Sequence, residues 1–189
     1  LIKLAGQVGV ASIFFFSGIR WGQLFVAFPL WFDYFFTVFW IVGAINAFNL
    51  IDGLDGLASG LAVIAAFGLA GGVFFNGRTS ETIPYLVFAG ACLGFLRFNF
   101  NPASVFLGDT GSMFLGMTLA TLPLMTGSRR ELAISIGMPL LVMGVPIFDT
   151  FLAIWRRTVR AFLPKKVVAS ITNQGGGVLM QPDKDHLHH

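Results

Sequence analysis

Long apolar stretches follow one another through almost the whole chain, and they restrict its fold more than any other feature. A helix needs about 17–25 apolar residues to cross a bilayer. Candidate runs cover residues 4–19, 32–50, 57–75, 82–98 and a longer block at 111–155. TGSRRE at 126–131 is the charged break in that block, so we divide it into 111–126 and 132–155. The pattern predicts an all-α, polytopic integral membrane protein with about six transmembrane helices.

The composition agrees with this fold class. Hydrophobic residues make up 56% of the 189 residues and charged residues only 11%, whereas a soluble domain carries about 25% charged residues. The net charge is +3. The basic residues are dispersed rather than gathered in a stripe, which argues against a nucleic-acid partner. The single cysteine, Cys92, lies in an apolar run, so we expect neither a disulfide framework nor redox chemistry.

The two sides of the membrane follow from counting crossings. Segments 49–56, 99–110 and 156–189 share one side with most of the basic residues, eight against four. The positive-inside bias then makes that side cytoplasmic. We predict a transmembrane domain over residues 1–155, with cytoplasmic active-site loops at 49–56 and 99–110. A cytoplasmic basic loop at 156–189 follows it and ends in a histidine motif.

The stretch NAFNLIDGLDGLASG at 46–60 gathers polar side chains at one end of an apolar run. Asn46, Asn49, Asp52 and Asp55 recur every three residues, which is roughly one face of a helix. Unpaired polar groups in hydrocarbon cost several kcal/mol, so these side chains need partners. One interpretation is a ladder of hydrogen bonds between helices. The other is a polar active-site loop at the membrane surface.

The segment NFNPASVFLGDTGS at 99–112 is the second polar stretch, and Asp109 is its only acid. A carboxylate at a membrane boundary needs a cation or hydrogen-bond donors. Thr110 and Ser112 are candidates to cap the helix that starts there, and the alternative is that Asp109 itself does so. Because free amides at a helix start favour anions, this segment also suits phosphate binding.

The end of the chain carries the third polar group. All its histidines lie in the last four residues, where imidazoles can serve a metal, a phosphate or proton transfer: His186, His188 and His189. The alternative is the remnant of a purification tag. Asp149 lies in the last predicted span, where an acid is either functional or paired with Arg156 or Arg157.

These polar groups combine into one chemical hypothesis. Carboxylate and amide oxygens suit Mg²⁺, which often bridges one or two protein carboxylates to substrate phosphates. Helix starts and histidines on the same membrane face suit the phosphates themselves. The residues therefore indicate phosphoryl chemistry at the cytoplasmic surface of the bilayer.

Four motifs in order carry a family resemblance: NAFNLIDGLDGLASG, FNFNPASVFLGDTGS, PIFDT followed by RR, and DKDHLHH. The chain resembles the polyprenyl-phosphate N-acetylhexosamine-1-phosphate transferases, relatives of the phospho-MurNAc-pentapeptide translocase of peptidoglycan synthesis. The DKDHLHH ending resembles the branch that uses UDP-GlcNAc and undecaprenyl phosphate.

The resemblance implies a complete reaction. A UDP-N-acetylhexosamine would donate sugar-1-phosphate to a polyprenyl phosphate, usually undecaprenyl phosphate, with release of UMP. This step would initiate cell-envelope glycan synthesis. The family uses Mg²⁺, for which Mn²⁺ is the alternative, in a multi-pass protein whose active site lies on the cytoplasmic face of the inner (plasma) membrane. The expected partners are these substrates and membrane lipids, with a homodimer as the assembly considered.

The resemblance also assigns residues to the phosphate end of the site. Asp109 would be a metal ligand, and Asn49 would lie beside it at the metal–pyrophosphate site. Asp52 would support the loop or the metal. The histidines would hold the pyrophosphate or the sugar.

A second set would bind the nucleobase. Asp55, with Gly53 and Leu54, would contact the uracil, and Phe106 would stack on it. Asn99 would line the same pocket.

The chain departs from the family pattern in one important place. Relatives carry an adjacent Asp-Asp pair on an earlier cytoplasmic loop, and this chain contains no such pair. Lys3 and Gln7 resemble residues that follow that pair, so we expect a fragment that begins just past it and is inactive alone. The alternative is a non-catalytic or split subunit. A transporter or channel is less favoured, because its polar residues would lie near the membrane midplane.

Overall fold

The computed structural model of the protein describes residues 2–23 and 29–127 and four isolated positions, 144, 152, 155 and 158. The chain divides into two compact units, Leu1–Thr150 and Phe151–His189. All helices with described bounds lie in the first unit. The predicted boundary between a transmembrane domain and a basic loop at residue 156 stays a prediction.

Five α-helices follow one another in the described ranges, and each coincides with one of the first five predicted apolar runs. They are α1 (Ile2–Phe16), α2 (Leu30–Ile51), α3 (Leu57–Phe75), α4 (Thr79–Asn99) and α5 (Gly108–Thr126), with a 3₁₀ turn at Trp21–Gln23 after α1. Within the described ranges there is no strand, so the all-α prediction is confirmed.

Three of these helices are long and apolar enough to cross a membrane, namely α2, α3 and α4. The apolar helix α1 is shorter, with 15 residues. The sixth predicted span, 132–155, lies outside the described residues except for three isolated positions. The described helices thus support an integral membrane protein, and the number of six spans stays a prediction.

Close packing of small residues joins the central helices. Helix α3 packs along α4, α2 packs along α5, and α1 lies against α2. A Cβ atom added at Gly116 of α5 would come within 2.5 Å of the Ala44 carbonyl oxygen of α2. Glycine therefore permits the two backbones to approach, as small residues commonly do where membrane helices pack together.

A buried acid lies in the first turn of α2 and holds the preceding segment against that helix. Asp33 is only 2% exposed, and its Oδ1 accepts hydrogen bonds from the Gly22 amide at 2.7 Å and the Thr37 hydroxyl at 3.2 Å. The Arg20 Nε lies 3.6 Å from its other oxygen. These contacts give the buried carboxylate the partners that it needs and hold the 3₁₀ turn on α2.

At the opposite end, α2 gives way to a turn that lies within the segment 49–56, where the sequence predicted a loop. The helix ends at Ile51 with Asp52 as its C-cap residue, and Gly56 precedes α3 with φ of +74°, in the left-handed region that favours glycine. Asn46 and Asn49 therefore lie on the helix, whereas Asp52 and Asp55 lie in the turn. The interpretation of one polar helix face therefore holds only as far as Ile51, and Asp52 and Asp55 lie where the other interpretation expected a loop.

Candidate functional site

Three side chains from three helices meet at this end of the molecule, and we call them the charged cluster: Lys3, Asn49 and Asp109. The Lys3 ammonium donates hydrogen bonds to Asn49 Oδ1 at 2.8 Å and to Asp109 Oδ2 at 3.0 Å. The Asn49 Nδ2 donates to Asp109 Oδ1 at 3.0 Å and to the Ser112 hydroxyl at 3.0 Å. Helices α1, α2 and α5 thus each supply one member.

The charged cluster is exposed, which limits what it contributes to folding. The side chains of Lys3 and Asp109 are 43% and 73% exposed, and exposed ion pairs stabilise proteins little. Its stronger effect is on ionisation. The hydrogen bond from Asn49 and then the Lys3 ammonium lower the pKa of the Asp109 carboxyl below its ordinary value, so Asp109 carries a charge at neutral pH.

A second carboxylate nearby behaves in the opposite way. Partial burial, together with repulsion from Asp109, raises the pKa of Asp52 above its ordinary value. Neighbouring carboxyl groups, one with a raised pKa and the other with a lowered pKa, are typical of functional sites. A cation placed between them would relieve the repulsion.

On the other side of the site, buried hydrogen bonds join the turn after α2 to the segment between α4 and α5. Asn99 is 4% exposed, and its Oδ1 accepts from the Gly56 amide at 3.2 Å and the Ser59 hydroxyl at 2.7 Å. Its Nδ2 donates to the Val105 carbonyl at 3.0 Å. We call Asn99, Ser59 and Asp55 the loop clamp.

Asp55 completes the loop clamp from the turn itself. Its Oδ2 accepts hydrogen bonds from the Ala103 amide at 3.1 Å and the Asn101 side chain at 3.3 Å. The adjoining Asn101–Pro102 peptide bond is cis. The two loops that the sequence singled out are therefore joined by side-chain bonds directed largely at backbone groups.

Two residues of the charged cluster, Asn49 and Asp109, and two of the loop clamp, Asn99 and Asp55, line one pocket with a volume of about 300 Å³. Its lining includes every predicted site residue that the structure describes, together with Leu107 and Gly108: Asn49, Asp52, Gly53, Leu54, Asp55, Asn99, Phe106 and Asp109. The Phe106 side chain is 73% exposed there. The predicted histidines His186, His188 and His189, and Asp149, lie outside the described residues. The roles of all these residues stay predictions.

Some sequence-based expectations change in detail. The cap residue of α5 is Leu107, and no side chain caps that helix, so capping by Thr110, Ser112 or Asp109 was wrong. The Ser112 hydroxyl instead donates to the Gly108 carbonyl at 3.1 Å and accepts from Asn49. Asn99 lines the pocket as predicted, but its polar atoms already bind protein groups.

Sequence reasoning missed Lys3, Ser59 and Ser112 as parts of the site. Lys3 was counted only for its charge and its likeness to residues in relatives. The clearest signal for it was its isolation, since Lys3 is the only charged residue before Arg20. Neither serine carried a comparable signal.

The donor set suits a hard divalent cation. Asp109, Asp52 and Asn49 bring carboxylate and amide oxygens to one pocket, and Mg²⁺ is commonly held by one or two carboxylates plus substrate phosphates and water. Two oxygens of this set already converge on a cation, the Lys3 ammonium. Among the described residues no group of three or more His, Cys, Asp and Glu side chains is placed to hold a metal alone. A metal here would thus share its coordination with a ligand.

An apolar groove of about 410 Å³ begins beside the charged cluster. It lies between α1, α2 and α5, and Lys3 and Gln7 are among the few polar residues in its lining. The rest is largely apolar and includes Val10, Ile45, Met113 and Met117. Lys3 therefore contributes both to the polar site and to a groove suited to a hydrocarbon chain.

Comparison with known proteins agrees with this geometry. The chain is 40% identical over its full length to a probable undecaprenyl-phosphate N-acetylglucosaminyl 1-phosphate transferase of Bacillus subtilis, of which it covers 50%. It is 35% identical to a decaprenyl-phosphate N-acetylglucosaminephosphotransferase of Mycolicibacterium smegmatis, also covering 50%. Over 72% of the chain it is 43% identical to a phospho-N-acetylmuramoyl-pentapeptide-transferase of Staphylococcus aureus, covering 46% of that protein.

The chain thus spans about half the length of these relatives. Residues 1–127, which include the five helices, the charged cluster and the loop clamp, match the model of glycosyl transferase family 4. The match covers well over half of the chain, and the chain belongs to glycosyl transferase family 4.

Proposed function

We propose that the full-length protein transfers N-acetylhexosamine-1-phosphate from a UDP-sugar to a polyprenyl phosphate and releases UMP. One observation carries the proposal: Asn49 and Asp109 line the polar pocket, and Lys3, which donates hydrogen bonds to both, lines the apolar groove. A transferase that joins a water-soluble donor to a lipid acceptor needs this arrangement. The names of the relatives support the same reaction.

The nucleobase would bind on the loop-clamp side of the pocket. The exposed ring of Phe106 offers a stacking surface, and stacking on an aromatic ring is worth about 1–3 kcal/mol per base. Gly53, Leu54 and Asp55 line the same pocket. The clamp would keep them at a fixed separation from Phe106, which reduces the entropy lost on binding.

The diphosphate would bind at the charged cluster. Asp109 and Asn49, with support from Asp52, would hold Mg²⁺ or Mn²⁺, which when bound would neutralise the diphosphate and the charge on departing UMP. Lys3 would replace its hydrogen bonds to Asp109 and Asn49 with one to a phosphate oxygen of the diphosphate. His186, His188 and His189 would contact the pyrophosphate or the sugar.

The acceptor would enter along the apolar groove. Its hydrocarbon chain would lie against α1 and α5, and its phosphate would reach Lys3. An oxygen of that phosphate would attack the phosphorus linked to the sugar, and the bond from that phosphorus to the UMP oxygen would break. The lysine would orient the acceptor and reduce repulsion between the two phosphorylated substrates.

The proposal includes a setting in the cell. We infer a multi-pass protein of the inner (plasma) membrane, with about six spans in this chain and the active site on the cytoplasmic face. A homodimer is the assembly to be tested. The chain as given lacks the adjacent aspartates of the family, so alone we expect it to bind a UDP-sugar without turnover. A non-catalytic or split subunit is the alternative function.

The decisive experiment assays the full-length protein in detergent with undecaprenyl phosphate and a panel of UDP-sugars. We expect release of UMP that requires both the lipid phosphate and a divalent cation, with UDP-N-acetylglucosamine as a good donor. Absence of UMP release with every donor, from protein that still binds UDP, would favour the non-catalytic alternative.

A further inference from the structure

Below the charged cluster, the same three helices make a second and more buried set of contacts. The Asn46 side-chain amide donates to Gln7 Oε1 at 2.8 Å, and the Gln7 amide donates back to Asn46 Oδ1 at 3.4 Å. Gln7 also lies 3.6 Å from the sulfur of Met113. It is only 6% exposed, so this amide pair is shielded from water.

Each member of the buried set lies one helical turn from a member of the charged cluster. Gln7 follows Lys3 by four residues on α1, and Asn46 precedes Asn49 by three residues on α2. Residues three or four apart lie on the same face of a helix. The amide pair therefore fixes α1 against α2 at the level directly beneath the Lys3 ammonium.

The amide pair selects one packing register of α1 against α2, which the apolar contacts around it do not. Apolar surfaces pack acceptably in several registers, and in lipid the tails compete equally for them. A single buried polar pair is satisfied in one register and left unpaired in others. Asn46 also donates to its own helix at Val42, so its amide has little freedom to seek another partner. A shift of α1 by one residue would break the pair and move Lys3 away from Asp109.

A third contact between α1 and α2 provides a natural comparison. The Ser12 hydroxyl lies 2.9 Å from the Tyr34 hydroxyl, further along both helices from the charged cluster. It also links α1 to α2, but it is not directly beneath Lys3. Loss of this contact should loosen the helix pair without releasing the lysine.

We propose that Gln7 and Asn46 are positioning residues that hold Lys3 at Asn49 and Asp109. The effect of this positioning on substrate binding rests on the proposed function, whereas the position of Lys3 itself does not. Asn46 thus fits the ladder interpretation of its polar stretch.

The test compares the full-length protein with four variants: Gln7→Met, which keeps an unbranched side chain of similar length, Asn46→Leu, Tyr34→Phe, and Asp109→Asn as the reference for a released Lys3. The measurement is the rate at which an amine-reactive reagent labels Lys3, followed by mass spectrometry relative to the other lysines. We expect several-fold faster labelling in Gln7→Met and in Asn46→Leu, toward the rate in Asp109→Asn. In Tyr34→Phe the rate should stay at the wild-type value. Wild-type labelling in both amide variants, or equal acceleration in Tyr34→Phe, would overturn the proposal.

Ligand binding gives a second measurement. In Gln7→Met we expect Lys3 to lose its proposed hydrogen bond to a phosphate of UDP. UDP binding should therefore weaken about 10-fold, while binding of uridine, which has no phosphate, is unchanged. Equal losses for both ligands would indicate general loosening and overturn the proposal. A wild-type protein that bound no UDP would count against the proposed function instead, and the labelling of Lys3 would still decide the positioning role.

Discussion

Residues of the charged cluster and of the loop clamp line the same pocket, but the two groups are built in opposite ways. Lys3, Asn49 and Asp109 contact one another through side chains, of which those of Lys3 and Asp109 are exposed. Asn99 and Ser59 are buried and bind backbone groups or each other. Exposed ionic contacts add little to stability, whereas an unpaired buried polar group costs about 1–3 kcal/mol. We therefore expect the cluster to serve the proposed reaction and the clamp to maintain the shape of the pocket.

This difference predicts that substitutions affect turnover and stability separately in the charged cluster, but lower stability and nucleotide affinity together in the loop clamp. Variants in the charged cluster should lose turnover in a protein that remains folded. Variants in the loop clamp should lose stability and nucleotide affinity in proportion. The following predictions apply to the full-length protein and are ordered by the size of the expected effect.

The substitution Asp109→Asn should have the largest effect on turnover. It removes the charge proposed to hold the cation, and loss of one electrostatic contact to a transition state commonly costs about 100-fold or more in rate. The apparent melting temperature should change little, because the side chain is 73% exposed. Glu81→Gln is a matched control, since it removes an acid paired with Arg78 at the opposite end of the helices. Turnover within threefold of wild type at saturating Mg²⁺ would remove Asp109 from the reaction.

The substitution Asn99→Ala should lower stability and binding together. It removes the hydrogen bonds to the Gly56 amide and the Val105 carbonyl and leaves the Ser59 hydroxyl only its longer contact with the Gly56 carbonyl, which predicts a loss of about 2–3 kcal/mol. UDP affinity should fall at least 10-fold, measured by calorimetry beside a thermal melt. A large loss of affinity at an unchanged melting temperature would show that Asn99 contacts the nucleotide directly.

The substitution Gly116→Ala should disturb the charged cluster from a distance. Its Cβ atom would meet the backbone of Ala44, and overpacking of this kind costs about 1–3 kcal/mol. Separation of α5 from α2 should lengthen the contact between Asn49 and Asp109 and reduce turnover several-fold. Gly94→Ala is the control, because a Cβ there meets nothing within 4 Å. Equal turnover in the two variants would show that the cluster tolerates movement of α5.

The sequence was informative where a residue contrasted with its surroundings. Asp109 and Asn49 stand out as polar groups in an apolar chain, and the lengths of the apolar runs located the five helices of the described ranges. The same contrast pointed to Asp55. The lengths of the apolar runs thus predicted the helices, and residue type predicted the polar stretches, whereas the family resemblance predicted the remaining pocket residues such as Phe106.

The remaining details depend on backbone direction, which the pattern of residues does not encode. The turn at 52–56 depends on Gly56 adopting a positive φ while its amide binds Asn99. Ser59 continues an apolar helix as a small residue and looks unremarkable until Asn99 faces it. Lys3 precedes Asn49 by 46 residues and Asp109 by 106, so only the packed helices reveal their contact.

The smallest predicted effect, that of Ser59→Ala, distinguishes the two sides of the pocket most finely. Asn99 Oδ1 would lose the hydrogen bond that the Ser59 hydroxyl donates at 2.7 Å but keep the one that the Gly56 amide donates. We therefore expect the free energy of unfolding to fall by about 1 kcal/mol. UDP affinity should fall about threefold, while affinity for inorganic pyrophosphate, which lacks the base, should stay constant. Ser104→Ala is the control, because its hydroxyl binds Phe98 outside the clamp. If both ligands weakened equally, the clamp would support the whole pocket, and the division into a chemical side and a shape-giving side would be wrong.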